Sequence, residues 1–264
     1  METDLHTDAN KYHAGMGGWS KTLAPLFIEF IGGIKEGYRV LDVGCGTGSL
    51  TFTIAETTKA STVVGIDPSV GYLEYARANN TYAHVVFEIG DAQELPYDNG
   101  SFDCCISSLV IQFVSDADRA AREMGRVTKK RGTVATCVWD NSGGMELAER
   151  FWDAAVAVDS GAKRTGDRRY GSPSALSDLW TAAGFANVET TALVIPMEFT
   201  SFEDLWRILS NAQGPPKLYI SSLSEDRRMI LQERLRTDII GNRPDGSITL
   251  RAKAWAVRGV VPAG

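Results

Sequence analysis

The chain has 264 residues, 44% of them hydrophobic and 23% charged, with a formal net charge of −6. That is the profile of an ordinary globular protein, long enough to bury its core without a metal or disulfide staple. The acidic balance argues against tight nonspecific binding of DNA or RNA, and no apolar run approaches membrane-spanning length.

The pattern along the chain starts with a helix over residues 22–33. A short buried strand, 39–43, runs into a glycine-rich turn, and a helix over 50–57 follows directly. Strand 62–66, helix 69–78 and strand 84–89 continue the alternation. Strand 102–107, helix 116–127 and strand 133–139 complete it, with Gly132 expected to stop the helix. Strands alternating with helices predict a mostly parallel sheet covered on both faces. Helices are expected at 145–159 and 174–183. A strand region at 188–199 should be interrupted by Pro196. Helices at 202–211 and 224–239 flank a Gly-Pro-Pro break at 214–216. Ile248, Leu250, Ala252, Ala254 and Ala256 alternate within 247–260, the mark of a last, antiparallel strand that leaves an edge where two copies could pair. No Pro-, Gly- or Ser-rich linker divides the chain, so one domain over 1–264 is expected.

The four cysteines, Cys45, Cys104, Cys105 and Cys137, form no CxxC pair, and there are only three histidines. A Cys/His metal site is therefore not expected, and the thiols read as reduced ones of a cytoplasmic protein. The N-terminus has no signal-peptide pattern.

The informative segment is Val40-Leu41-Asp42-Val43-Gly44-Cys45-Gly46-Thr47-Gly48, a strand, a GxGxG turn and a helix start in succession. Glycines let backbone approach a ligand closely. A dinucleotide prefers GxGxxG, but that spacing fails from either glycine: the third position is Ser49 from Gly44 and Thr51 from Gly46. Asp42, just before the turn, disfavours a pyrophosphate and suits a ligand carrying positive charge. S-adenosylmethionine fits, having an ammonium, a sulfonium and a carboxylate but no phosphate. Asp67, ending the second strand, can accept from both ribose hydroxyls. Asp91, after the third, can accept from an adenine amino group while the Ala92 amide donates to a ring nitrogen.

The runs VLDVGCGTG, GIDPS and GDAQELPYDNGSFD resemble the class I S-adenosylmethionine-dependent methyltransferases, and among them the ubiquinone/menaquinone-biosynthesis type of small-molecule methylase. The motifs span about residues 38–140. The resemblance implies a Rossmann-like α/β fold: seven strands, mostly parallel, the last antiparallel, with helices on both faces. It implies Asp42, Gly44, Cys45 and Gly46 at the methionine end of the cofactor and Asp67 at the ribose. Pro68 and Ser69 would flank ribose and adenine, Asp91 and Ala92 would hold the adenine, and Ser107 would pass the methionine amine. By the same resemblance Tyr12, Trp19 and Ser20, in an N-terminal cap over 1–22, could close the site. Lys130-Arg131-Gly132-Thr133 departs from the family's Lys-Pro-Gly-Gly turn.

Methyl transfer is an in-line displacement that relies on alignment and exclusion of water. A base is needed only for a protonated nucleophile; His13, Asp140 and Tyr170 are the candidates. Strand four ends Ser107-Ser108-Leu109-Val110, not in the Asn/Asp-Pro-Pro-Tyr/Phe turn of amide methylases. Helical insertions at 141–172 and 200–242 are expected to form a substrate lid. Trp19 in segment 1–22 and Phe151, Trp152, Tyr170, Phe202, Trp206 and Tyr219 in these insertions suggest a flat or apolar small molecule, although Phe202, Leu205, Trp206 and Leu209 also repeat at helical core spacing. The reading is methyl transfer to a small-molecule acceptor. A catalytically silent cofactor-binding partner protein and a nicotinamide oxidoreductase are the alternatives.

Overall fold

A computed structural model describes residues 18–164, 169–211 and 214–263. In chain order its first elements are α1 (Gly18–Phe30), β1 (Arg39–Val43), α2 (Ser49–Thr57), β2 (Thr62–Asp67), α3 (Val70–Ala78) and β3 (Val85–Ile89). β4 (Phe102–Ser108), a 3-10 turn at Ile111–Phe113, α4 (Ala117–Val127) and β5 (Thr128–Trp139) follow. The second half holds α5 (Glu146–Val158), α6 (Pro173–Ala182), β6 (Ala186–Phe199), α7 (Phe202–Asn211), α8 (Pro215–Ser222), α9 (Glu225–Ile240) and β7 (Ile248–Val260).

The seven strands form one sheet in the order β3-β2-β1-β4-β5-β7-β6. β7 runs antiparallel to both of its neighbours, and the other pairings are parallel. The chain leaves β1 in one direction across the sheet and returns to β4 on its other side. The crevice outside the carboxyl ends of β1 and β4 is thus the topological switch point, where open α/β sheets bind their ligands.

Each sheet face has its own core. Leu23 and Phe27 of α1, Ile54 of α2, Leu73 of α3 and Phe151 of α5 share one face with Val40, Ile106 and Cys137. Ala120, Ala121 and Met124 of α4 and Trp180 of α6 share the other with Leu41, Cys105 and Val134. The Trp180 indole also donates to the Val134 carbonyl at 3.0 Å, pinning α6 to the sheet. Side-chain oxygens cap several helices: Ser69 for α3, Asp116 for α4, Ser172 for α6 and Ser224 for α9.

Four local expectations are corrected. Gly132 does not stop a helix. α4 ends at Val127 and β5 starts at once, with Arg131 at φ 64° and Gly132 inside the strand. A Cβ on Gly132 would lie 2.7 Å from the Asp103 carbonyl oxygen, so this irregular stretch of the β4–β5 pairing requires glycine. Pro196 does not interrupt β6, which pairs continuously with β7 from Glu189 to Phe199 with Pro196 facing Arg251. β6 is an edge strand, and only there is a residue without an amide hydrogen tolerated mid-strand. The Gly-Pro-Pro break is a helix start: Pro215 and Pro216 occupy the first turn of α8, where amides lack intrahelical partners anyway. Finally, β7 offers no free edge, because β6 covers the side that β5 leaves open.

Candidate functional site

The glycine turn closes on itself and on β2. The amides of Gly44 and Cys45 both donate to the Ile66 carbonyl, at 2.7 and 3.1 Å, and Gly48 N–H donates to Cys45 O at 2.9 Å. Gly46 N–H donates to Asp67 Oδ2 at 2.9 Å, while Asp67 Oδ1 accepts from Ser69 N–H at 2.8 Å. These four turn amides are therefore engaged within the protein. Gly44, Gly46 and Gly48 all have positive φ. A Cβ on Gly44 would strike the Val110 methyls at 2.5 Å, whereas one on Gly46 would meet open space.

Asp42 is 1% exposed and sits at the start of α2, where its Oδ2 accepts from the Thr51 hydroxyl at 2.6 Å. Burial pushes its carboxyl up to about 7. The Thr51 hydrogen bonds work against that shift and the nearby Asp67 charge adds to it. Asp42 thus fills the place where a helix N-terminus would otherwise receive an anion. Cys45 is buried beside these acids, and burial raises its thiol well above the ordinary value. All four cysteines are buried and free.

At the end of β3, Asp91 is exposed and held by Gln93, whose backbone and side-chain amides donate to its Oδ1 at 2.8 and 3.1 Å. Gln93 in turn accepts from Ser115 Oγ and from the Asp116 amide. Ala92 is buried beside this turn. Pro68 is exposed and Ser69 partly buried where β2 passes into α3.

Ser107, at the end of β4, is 1% exposed, and its hydroxyl has no partner. The same holds for Thr47 Oγ1 in the glycine turn, for Gln112 Oε1 after β4 and for Trp139 Nε1 at the end of β5. A buried polar atom left unpaired costs about 1–3 kcal/mol. Of six such atoms among the described residues, four follow the carboxyl ends of β1, β4 and β5, which makes this end of the sheet the candidate ligand site; the other two, Ser210 Oγ and the Tyr219 hydroxyl, lie on α7 and α8. The backbone agrees: Leu109, between Ser107 and Gln112, has φ 64°, a strained value for a leucine.

The remaining candidates separate. Trp19 packs edge-on against Phe199, the end of β6, with ring centroids 6.1 Å apart. Ser20 is buried on the same helix. Asp140 Oδ2 lies 2.9 Å from the Lys253 ammonium, and its Oδ1 accepts from the Ser142 amide, so its carboxylate is engaged in a turn. Tyr170 has φ 60° and packs against the α4–α6 face of the sheet. Tyr12 and His13 lie outside the described residues. Phe151, Trp152, Phe202 and Trp206 are buried, and Phe151, Trp152 and Tyr219 form a ring cluster with centroids 5.0–6.2 Å apart. Phe151, Trp152, Phe202 and Trp206 belong to the core of the helical layer over β7 and β6, and Tyr219 is half-buried against it. Among the described residues no cluster of His, Cys, Asp or Glu could hold a metal ion, and no helix is long and apolar enough to cross a membrane.

Sequence reasoning did not find Thr51, Gln93, Thr47, Gln112 or Trp139. Only Gln93 had a local signal, two residues after Asp91 in an Asx-type turn.

Residues 34–164 match a family model described as a methyltransferase domain. A malonyl-[acyl-carrier protein] O-methyltransferase of Geobacter sulfurreducens is 30% identical over 171 residues, which cover 64% of this chain and 62% of that protein. The Serratia marcescens protein of the same name is 28% identical over 70% of this chain and 66% of its own. The chain thus spans a little under two thirds of these relatives. Among solved structures, the YcgJ protein of Bacillus subtilis superposes with a TM-score of 0.58 at 20% identity, over 92% of this chain and 99% of that one. Phosphoethanolamine N-methyltransferase 2 of Haemonchus contortus, solved with S-adenosyl-L-methionine, gives 0.56 at 19% identity, over 96% and 56%. At these identities the likeness to the solved structures is one of fold.

Proposed function

Because the chain belongs to the family of methyltransferase domains, we propose that it binds S-adenosylmethionine at the β1–β4 crevice and transfers the methyl group to a small-molecule acceptor. One observation carries the reading: the anion-binding devices of this turn are already filled by the protein's own groups. Ile66 O and Asp67 occupy the loop amides, and Asp42 occupies the start of α2. A pyrophosphate would have to displace two carboxylates. A ligand with positive charge and no phosphate gains from them instead. The unpartnered Thr47 and Ser107 hydroxyls can both accept hydrogen bonds, which suits the same ligand.

Bound there, S-adenosylmethionine supplies an electrophilic methyl group on a positively charged sulfur. The chain supplies the grip. Each oxygen of Asp67 accepts one backbone amide, which fixes the carboxylate at the end of β2, where a ribose diol would donate to it. Asp91, held by Gln93, and the Ala92 amide would address an adenine edge. Gly46, where a side chain would enter open space, lets the ligand approach the backbone. No described candidate stands ready as a base at the crevice, so alignment and exclusion of water carry the rate. The free, buried thiols support a reducing, cytoplasmic setting.

Titration calorimetry with S-adenosylhomocysteine tests this. The wild type should bind, and Asp67→Ala and Gly46→Val should each weaken binding at least tenfold while thermal melts confirm folding. Unchanged affinity in both folded variants would overturn the placement, and tighter binding of NADH would overturn the ligand class.

A further inference from the structure

Resting on the reading above, we propose that Gln112 is the acceptor-binding residue, and that it selects a methyl acceptor whose nucleophile carries its own hydrogen, a hydroxyl or an amine, over a carboxylate. The argument starts from the side-chain amide. Gln112 is 4% exposed, and its Nε2 donates to the Leu109 carbonyl at 3.1 Å. A carbonyl can only accept, so this bond fixes which end of the amide is which. The atom left over is Oε1, an acceptor, buried and without a partner.

Its position is held from three sides. Leu109 N–H donates to Cys137 O at 2.8 Å, tying the segment to β5. Val110 seats its methyls against Gly44, which brings the segment onto the glycine turn. Arg169 Nη2 donates to the Gln112 backbone carbonyl at 2.7 Å. The price of this arrangement is a leucine at φ 64°. Phe113, the next residue, is 64% exposed, so Gln112 lies just inside the protein surface.

An acceptor atom in that place wants a donor. A neutral hydroxyl or amine can supply one, and a carboxylate cannot. A carboxylate would also need a cation, and two cations beside this segment are engaged: Arg169 donates to the Gln112 carbonyl and Lys253 pairs with Asp140. Trp139 Nε1, the unpartnered donor on the adjoining strand, suits the lone pair of the same hydroxyl or of a neighbouring carbonyl. In the transfer the nucleophile's lone pair forms the new O–C or N–C bond. The C–S bond breaks with its electron pair going to sulfur, and the O–H or N–H proton passes to water. Gln112 takes no proton; it orients the group that loses one.

The test uses the full chain with labelled S-adenosylmethionine and three probes: catechol, benzylamine and malonyl-coenzyme A. The expected result is transfer to catechol or benzylamine and none to malonyl-coenzyme A. Gln112→Leu and Gln112→Met, checked by thermal melting, should raise KM for the accepted probe at least tenfold, change kcat less, and leave S-adenosylhomocysteine affinity within twofold. Three outcomes overturn the proposal. The first is turnover of malonyl-coenzyme A in preference to both other probes. The second is no turnover of either O–H or N–H probe by protein that binds S-adenosylhomocysteine. The third is a tenfold loss of S-adenosylhomocysteine affinity in both variants with 5′-methylthioadenosine unaffected, which would place Gln112 on the cofactor's ammonium. Failure of the wild type to bind S-adenosylhomocysteine would instead sink the underlying assignment.

Discussion

Asp42 shows what it means to bury an acid without a cation. Its carboxyl titrates at about 7 in the folded chain against 3.8 ordinarily. The native state therefore holds a proton that the unfolded state has lost across that window, and this acid's contribution to stability falls as pH rises from about 4 to about 7. At roughly 1.4 kcal/mol per pKa unit the loss is on the order of a few kcal/mol. Asp42→Asn keeps an acceptor for Thr51 but cannot ionise. Calorimetric melts of the ligand-free protein should show that the variant loses less Tm between pH 5 and pH 8 than the wild type. Equal losses would mean that Asp42 is ionised at neutral pH. The glycines permit a matched comparison. Gly44→Ala adds both a left-handed alanine and a 2.5 Å clash with Val110, while Gly46→Ala adds only the first. Denaturant midpoints should place Gly44→Ala below Gly46→Ala by about 1–3 kcal/mol. The acids and glycines were legible in the sequence because each is fixed by its place at a strand end. Thr51, Gln93 and Gln112 were not, because their roles come from backbone bonds and from neighbours brought close by folding.

At the scale of elements, α4 holds the loop after β3 through one arginine. Arg126 donates to the carbonyls of Leu95 and Tyr97, to Asn99 Oδ1 and to Glu123, and Glu123 accepts from the Leu95 amide. Arg126 and its hydrogen bonds hold the Glu123 carboxyl below its ordinary value. This clasp fixes the loop that carries Asp91 and Gln93. Arg126→Met should speed amide hydrogen exchange over residues 93–100 and weaken S-adenosylhomocysteine several-fold; unchanged exchange would show that the loop holds itself. Periodicity found nearly every strand and helix, since burial on one or both faces writes itself into the spacing of apolar residues. It failed where a rule about proline or glycine depends on context. Pro215 and Pro216 open a helix, Pro196 is harmless at an edge, and Gly132 is demanded by close approach of another strand.

Across the whole molecule the work is divided along the sheet. The acids and glycines follow β1, β2 and β3, whereas α5 and α7–α9 pack together over β7 and β6. β6 lies four strands from β1, roughly 19 Å at about 4.8 Å per strand. The aromatic cluster of the far half should therefore matter to folding and little to the cofactor. Phe151, fully buried, is the case to try. Phe151→Ala should cost about 3–5 kcal/mol in a urea titration. S-adenosylhomocysteine affinity, measured well below the melting temperature, should stay within twofold. A large loss of affinity would show that the two halves are coupled. The sequence allowed both a substrate wall and a helix core for the aromatics of this layer, because composition cannot tell a ring that faces a cavity from one that fills it.

The long border strand has a consequence for how the protein behaves in a crowded solution. A fourteen-residue strand at the rim of a sheet would ordinarily invite a neighbouring chain to zip on and start a fibril. Pro196 removes one hydrogen from the middle of that row, and a stranger's carbonyl finds nothing there to hold. Pro196→Val should leave the monomer's melt almost unchanged yet raise light scattering on prolonged incubation at high concentration.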